Sequence, residues 1–151
     1  MDKHPVLDEI ETAARTATQR DDFLLETAGI INRHFPHYTW VGFYFLEGGK
    51  LRVGPYVGKT TPHTVIDLDK GICGAAVSRQ ETIVVDDVNA DPRYLACSLE
   101  TKSEIVVPIA VRGEIVGELD VDSDRRAAFD DNHRQLMQEI ARVVSSTLER
   151  L

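Results

Sequence analysis

The sequence predicts an α+β fold built on an antiparallel sheet. Three observations carry this prediction. Apolar residues recur at helical spacing at both ends of the chain. Between them lie runs rich in aromatic and β-branched residues. Most of those runs are joined as hairpins through short glycine-containing turns.

Each element follows in order. Val6, Ile10, Ala13, Ala14 and Ala17 predict a first helix over about residues 4–20. Asp21 and Asp22 are placed to cap a second helix, with Leu24, Ala28, Ile31 and Phe35 on one face and Pro36 ending it. Tyr38 to Leu46 is a strand, Gly48-Gly49 a turn, and Lys50 to Val57 the returning strand, broken near Gly54-Pro55. A loop from Gly58 to Asp69 leads to a short helix, Gly71 to Arg79, and a short strand, Glu81 to Asp86. Asn89 to Thr101 has no period and reads as a long loop, a kind of connection that often carries function. Two strands follow, Glu104–Val111 and Ile115–Asp122. Asp130 to Leu151 is an amphipathic helix with a stripe of Leu136, Ile140, Val143, Val144, Leu148 and Leu151, capped by Asp130 or Asp131.

Bulk properties narrow the function. The 151 residues fit a single domain over residues 1–151, with an ordinary hydrophobic fraction of 42%. A formal charge of −8 argues against nucleic acid and anionic membranes as partners, and it also suits a plain soluble surface. No apolar run approaches the ~20 residues that span a bilayer. Met1-Asp2-Lys3-His4-Pro5 opens no signal peptide, so a cytoplasmic protein is expected. Two cysteines are too few for a disulfide scaffold, and with scattered histidines they make no zinc pattern.

The last two strands can be read further. Alternate residues of a strand share a face. Ile105, Val107, Ile109 and Val111 form one apolar face, and Ile115, Gly117, Leu119 and Val121 another; both must look into one core. That parity sets Leu119 opposite Val107 and Val121 opposite Ile105, and it calls for a three-residue loop, Arg112-Gly113-Glu114, with Val111 opposite Ile115. On the other face Asp120 then opposes Val106, and Asp122 opposes Glu104. Directly opposed like charges destabilise a sheet unless water screens them, and no Lys or Arg shares this face. The row awaits a cation: an ammonium group is the simplest partner, a divalent metal with oxygen ligands the second choice.

The same parity puts Trp40 and Tyr44 on the face opposite Val41, Phe43 and Phe45. There they either pack the sheet or line a pocket suited to a cation or a methyl-sulfur group. Cys73 lies near a helix N-terminus, a position that stabilises a thiolate, although its apolar neighbours also suit a buried thiol. Cys97 lies on the long loop just before Glu104 and is the better candidate nucleophile.

Taken together and in order, several stretches resemble the GAF-fold free methionine-(R)-sulfoxide reductases. They are Trp40-Val41-Gly42-Phe43-Tyr44, Gly54-Pro55-Tyr56-Val57-Gly58-Lys59, Gly71-Ile72-Cys73-Gly74-Ala75-Ala76, Leu95-Ala96-Cys97, Ser103-Glu104-Ile105-Val106-Val107-Pro108 and Gly117-Glu118-Leu119-Asp120-Val121-Asp122-Ser123. The resemblance implies a GAF-like fold: a central antiparallel sheet, N- and C-terminal helices on one face and a ligand pocket on the other. It implies Cys97 as catalytic cysteine, Glu104, Asp120 and Asp122 as the holders of the substrate's ammonium, and Trp40 and Tyr44 as contacts of the sulfoxide end. It implies Cys73 as one of the family's further redox cysteines, with oxidised Cys97 resolved either by a disulfide to Cys73 or by an external thiol, a thioredoxin-type reductant as partner, no metal or organic cofactor, and a homodimer. The chain departs from the family at Thr60-Thr61-Pro62-His63-Thr64, where another cysteine is often found. The rival reading is a GAF module that binds a small ligand as a sensor without turnover.

Overall fold

The structure, a computed structural model, describes residues 3–95 and 100–151. Its elements run α1 (Pro5–Thr16), α2 (Arg20–His34), β1 (Tyr38–Glu47), β2 (Lys50–Gly58), β3 (Val65–Asp67), α3 (Gly71–Arg79), β4 (Ile83–Val85), β5 (Ser103–Val111), β6 (Glu114–Ser123) and α4 (Asp131–Arg150). The strands form one sheet, ordered β3-β2-β1-β6-β5-β4, and every neighbouring pair is antiparallel. No helix among the described residues is long and apolar enough to cross a membrane.

Strand alternation divides the interior in two. Val41, Phe43, Phe45, Ile105, Val107, Ile109, Leu119 and Val121 point to one face, where α1, α2 and α4 supply Val6, Ile10, Leu24, Ile31, Met137, Ile140 and Val144. Trp40, Tyr44 and Val106 point to the other, where α3 supplies Ile72, Cys73, Ala76 and Val77. The expected arrangement, terminal helices on one face and a separate lining on the other, is therefore present.

Local chemistry sets the boundaries. Asp130 caps α4 by accepting from the His133 N–H, as read from the sequence. The α2 cap differs: Gln19 stands at the N-cap without a side-chain bond, and Asp21 and Asp22 fall in the first turn, where carboxylates suit the helix dipole. α1 stops at Thr16, earlier than expected. Leu151 is 40% exposed and does not extend the buried stripe of α4.

The sheet also corrects two expectations. β2 is not broken at Gly54-Pro55: it continues, and the two residues bulge opposite Phe43, where a proline costs no ladder bond. The β5–β6 turn has two residues, not three. Val111 pairs with Glu114, and Arg112 (φ 53°) and Gly113 (φ 81°) both take the left-handed backbone that such a tight turn requires. A bulge at Val116 then restores the register, so Ile109 meets Gly117 and Glu104 still meets Asp122. The C-terminus of α4 holds this turn, since the Arg112 N–H donates to Glu149 Oε1 at 3.0 Å.

Candidate functional site

β6 is the central strand of the site. Its alternate residues Glu118, Asp120 and Asp122 face α3 rather than the helical core. On one side β1 sets Tyr44 opposite Glu118, Gly42 opposite Asp120 and Trp40 opposite Asp122. On the other, β5 sets Pro108, Val106 and Glu104 opposite the same three residues. A row of acids thus runs between an aromatic wall and a fourth carboxyl. The register follows from the apolar alternation that buries Leu119 and Val121 on the opposite face.

These acids are not a wet sheet face. Glu118 is 0% exposed, Asp122 2%, Asp120 3% and Glu104 5%. Among the described residues no lysine or arginine forms an ion pair with any of them. Among the described residues, both carboxylate oxygens of Glu118, and Oδ1 of Asp120 and of Asp122, are buried with no hydrogen-bond partner. Burial holds the Glu104 carboxyl well above its ordinary range, and the charges of Asp120 and Asp122 push it further. Burial and the Asp120 charge do the same to Asp122. Burial likewise raises Asp120, against the pull of Glu104 and the Cys73 thiol, and burial with the Asp120 charge raises Glu118. Such carboxyls can hold protons near neutrality or welcome a cation that lets them ionise.

α3 lies over the row and brings Cys73 to it. The Cys73 thiol donates to Asp120 Oδ2 at 3.3 Å. Of the two readings that the sequence allows for Cys73, the buried thiol is the one its surroundings favour. The start of α3 does not yield an activated thiolate: burial, reinforced by the negative Asp120, Glu118 and Glu104, raises the Cys73 thiol well above its usual value. A helix end contributes on the order of 1 kcal/mol, less than burial among like charges.

The aromatic wall is layered. The Trp40 ring stacks on Tyr56 with centroids 5.0 Å apart and faces Tyr44 at 6.0 Å. Gly42 makes this possible, because a Cβ there would lie 2.4 Å from Tyr56 Cβ and 2.5 Å from the Trp40 ring. The Tyr44 hydroxyl donates to the His63 carbonyl at 2.8 Å, fixing the ring against the segment that follows β2. A cavity of ≈ 20 Å³ remains, lined by Tyr44, His63, Cys73, Leu95, Glu104 and Asp120 among others.

Of the residues singled out from sequence, Trp40, Tyr44, Cys73, Glu104, Asp120 and Asp122 are brought together on one face of the sheet. Cys97 lies outside the described residues; the described chain on either side of it ends at Leu95 and resumes at Glu100. Two residues of the site were given no role by sequence reasoning. Glu118 has the same parity as Asp120, which is signal enough to find it. Tyr56 needs the bulge at Gly54-Pro55 to fall opposite Gly42, and alternation alone does not reveal that.

Comparison with known proteins bears on this arrangement. Residues 8–148 match the GAF domain family. The free methionine-R-sulfoxide reductase of Escherichia coli (strain K12) is 34% identical over 128 residues, 82% of this chain and 77% of that protein. The free methionine-R-sulfoxide reductase of Saccharomyces cerevisiae is 38% identical over 113 residues, 72% of this chain and 62% of that protein. The X-ray structure of the Neisseria meningitidis free methionine-R-sulfoxide reductase in complex with its substrate superposes with a TM-score of 0.91 at 35% identity, covering 95% of this chain and 86% of that one.

Proposed function

The chain belongs to the GAF domain family and, within it, to the free methionine-R-sulfoxide reductases, and from that membership we propose that it is an oxidoreductase that returns free methionine (R)-sulfoxide to methionine. The observation that carries the reading is the buried acid row without a cationic partner among the described residues, set between aromatic rings and a thiol. An amino acid's ammonium group supplies the missing charge. Its methyl-sulfur end suits the rings of Trp40 and Tyr44.

In the proposed chemistry Glu104, Asp120 and Asp122 hold the ammonium. The Cys97 thiolate attacks the sulfoxide sulfur, while Glu104 or Asp122, kept protonated by its surroundings, gives a proton to the departing oxygen. Two electrons pass from the cysteine sulfur to the substrate sulfur. Methionine leaves, and the oxygen ends on Cys97 as a sulfenic acid. Cys73 then attacks that sulfur, forming a disulfide and expelling the oxygen as water. Its high resting value requires a proton acceptor, and Asp120, 3.3 Å from the thiol, is in place for that transfer. A thioredoxin-type dithiol reduces the disulfide and restores both thiols.

The test is turnover of free methionine (R)-sulfoxide with thioredoxin or dithiothreitol. Cys97→Ser abolishes it; a Cys97→Ser enzyme with full activity overturns the chemistry. Cys73→Ser retains a single turnover and slows thioredoxin-driven cycling; unchanged cycling makes Cys73 a structural thiol.

A further inference from the structure

We propose that the cavity under α3 is also a binding site for a zinc-class divalent cation, held by the Cys73 sulfur and by carboxylate oxygens of Glu104 and Asp120. The ion would occupy the seat of the substrate's ammonium and act as a reversible brake.

Three observations carry the proposal. One ligand atom from each of Cys73, Glu104 and Asp120 lies within 4.8 Å of the other two. Zinc binds thiolate sulfur at about 2.3 Å and carboxylate oxygen at about 2.0–2.2 Å, so ligand atoms on one ion sit roughly 3.5 Å apart. The Cys73 Sγ and Asp120 Oδ2 are already 3.3 Å apart. The second observation is an unsatisfied oxygen: Asp120 lines the cavity, is 3% exposed, and its Oδ1 has no hydrogen-bond partner among the described residues. The third is size. A cavity of ≈ 20 Å³ has room for one water-sized body, so an ion or its remaining water fits without the opening that an amino acid demands.

The donor set selects the metal. A thiol beside two carboxyls, in so small a space, favours four-coordinate zinc or cobalt over calcium, which takes six to eight oxygens, and over magnesium, which keeps its water. The sequence showed no zinc spacing because the ligands come from three separate elements, α3, β5 and β6. On binding, the thiol proton and any proton on the carboxyls pass to solvent; a metal–sulfur bond replaces the S–H bond and no electron moves. While bound, the ion competes with the ammonium and withholds Cys73 from disulfide formation. Binding itself does not depend on the reductase reading; only the inhibition does.

The experiment titrates cobalt(II), with zinc as competitor, into the reduced full chain without substrate. One equivalent binds per chain and gives a thiolate-to-cobalt charge-transfer band. The band persists in Cys97→Ser and disappears in Cys73→Ser. Asp120→Asn weakens binding by more than the roughly 10–100-fold that loss of an outer-shell partner costs. In the unaltered chain zinc protects Cys73 from alkylation, read by mass spectrometry of its peptide, a measurement that survives a variant that fails to fold. No band, a band lost with Cys97 instead, or Cys73 alkylated equally with and without zinc overturns the site. Because no turnover is measured, an inactive reductase leaves these results standing, and failed binding leaves the reductase reading intact. If the site holds, zinc also raises KM for methionine sulfoxide.

Discussion

Gly42→Ala puts the packing of the site to the test through one methyl group. The added carbon would sit 2.4 Å from Tyr56 Cβ and 2.5 and 2.8 Å from two Trp40 ring atoms. Ordinary carbon contacts are about 3.5–4.0 Å, so the neighbours must retreat by roughly 1 Å. Tyr56 Cβ is rooted in β2 and the Trp40 ring is stacked on Tyr56, so neither moves alone. Overpacking of this kind costs about 1–3 kcal/mol. For a chain of this size each kcal/mol lowers Tm by roughly 2–4 °C. If this wall positions the sulfoxide as proposed, a displacement near 1 Å lowers kcat/KM by up to ~100-fold. Gly29→Ala is the matched control: it lies within α2, nothing stands within 4 Å of its added carbon, and it should gain about 0.5–1 kcal/mol from helix propensity. Scanning calorimetry and steady-state kinetics on both variants settle the matter. A G42A enzyme with unaltered Tm and kcat/KM would refute the layered wall.

Other expectations follow from the acids. Asp120→Asn removes a buried charge, so the unliganded protein should melt no lower than the parent while substrate binding weakens by about 2–5 kcal/mol, read by calorimetric titration; equal affinity would remove Asp120 from the ammonium site. Glu104, Glu118, Asp120 and Asp122 all have raised values in the fold, so above the ordinary carboxylate range the folded chain holds more protons than the unfolded one. Their contribution to stability is therefore complete at low pH and is lost as pH rises from about 4 through the raised values. A pH series of thermal melts should show this fall, and Glu118→Gln should flatten it and melt higher than the parent near neutrality; a variant with the parent's slope would mean that Glu118 titrates normally.

Much of this arrangement is legible in the sequence. The pairing of Glu104 with Asp122 follows from the need to bury Ile105, Val107, Leu119 and Val121 together, and burial is the strongest constraint on strand register. The turn itself is not legible, because parity cannot see the bulge at Val116 that lets a two-residue turn keep the same downstream register. β3 is only three residues, Val65–Asp67, too short for a period. The resting state of Cys73 was hidden for another reason. Its sequence neighbours report a helix start, whereas Asp120, the acceptor of its proton, is 47 residues away. Burial of the acid row was equally invisible, since alternation tells which face a residue takes but not what covers that face. Here α3 covers it.

The acid row is proposed to hold an amine. Comparing free methionine (R)-sulfoxide with its N-acetyl derivative, under identical reductant, isolates that one charge. Acetylation should lower kcat/KM by an amount worth about 2–5 kcal/mol, the cost of leaving buried acids without their cation. Equal kcat/KM for the two would contradict it.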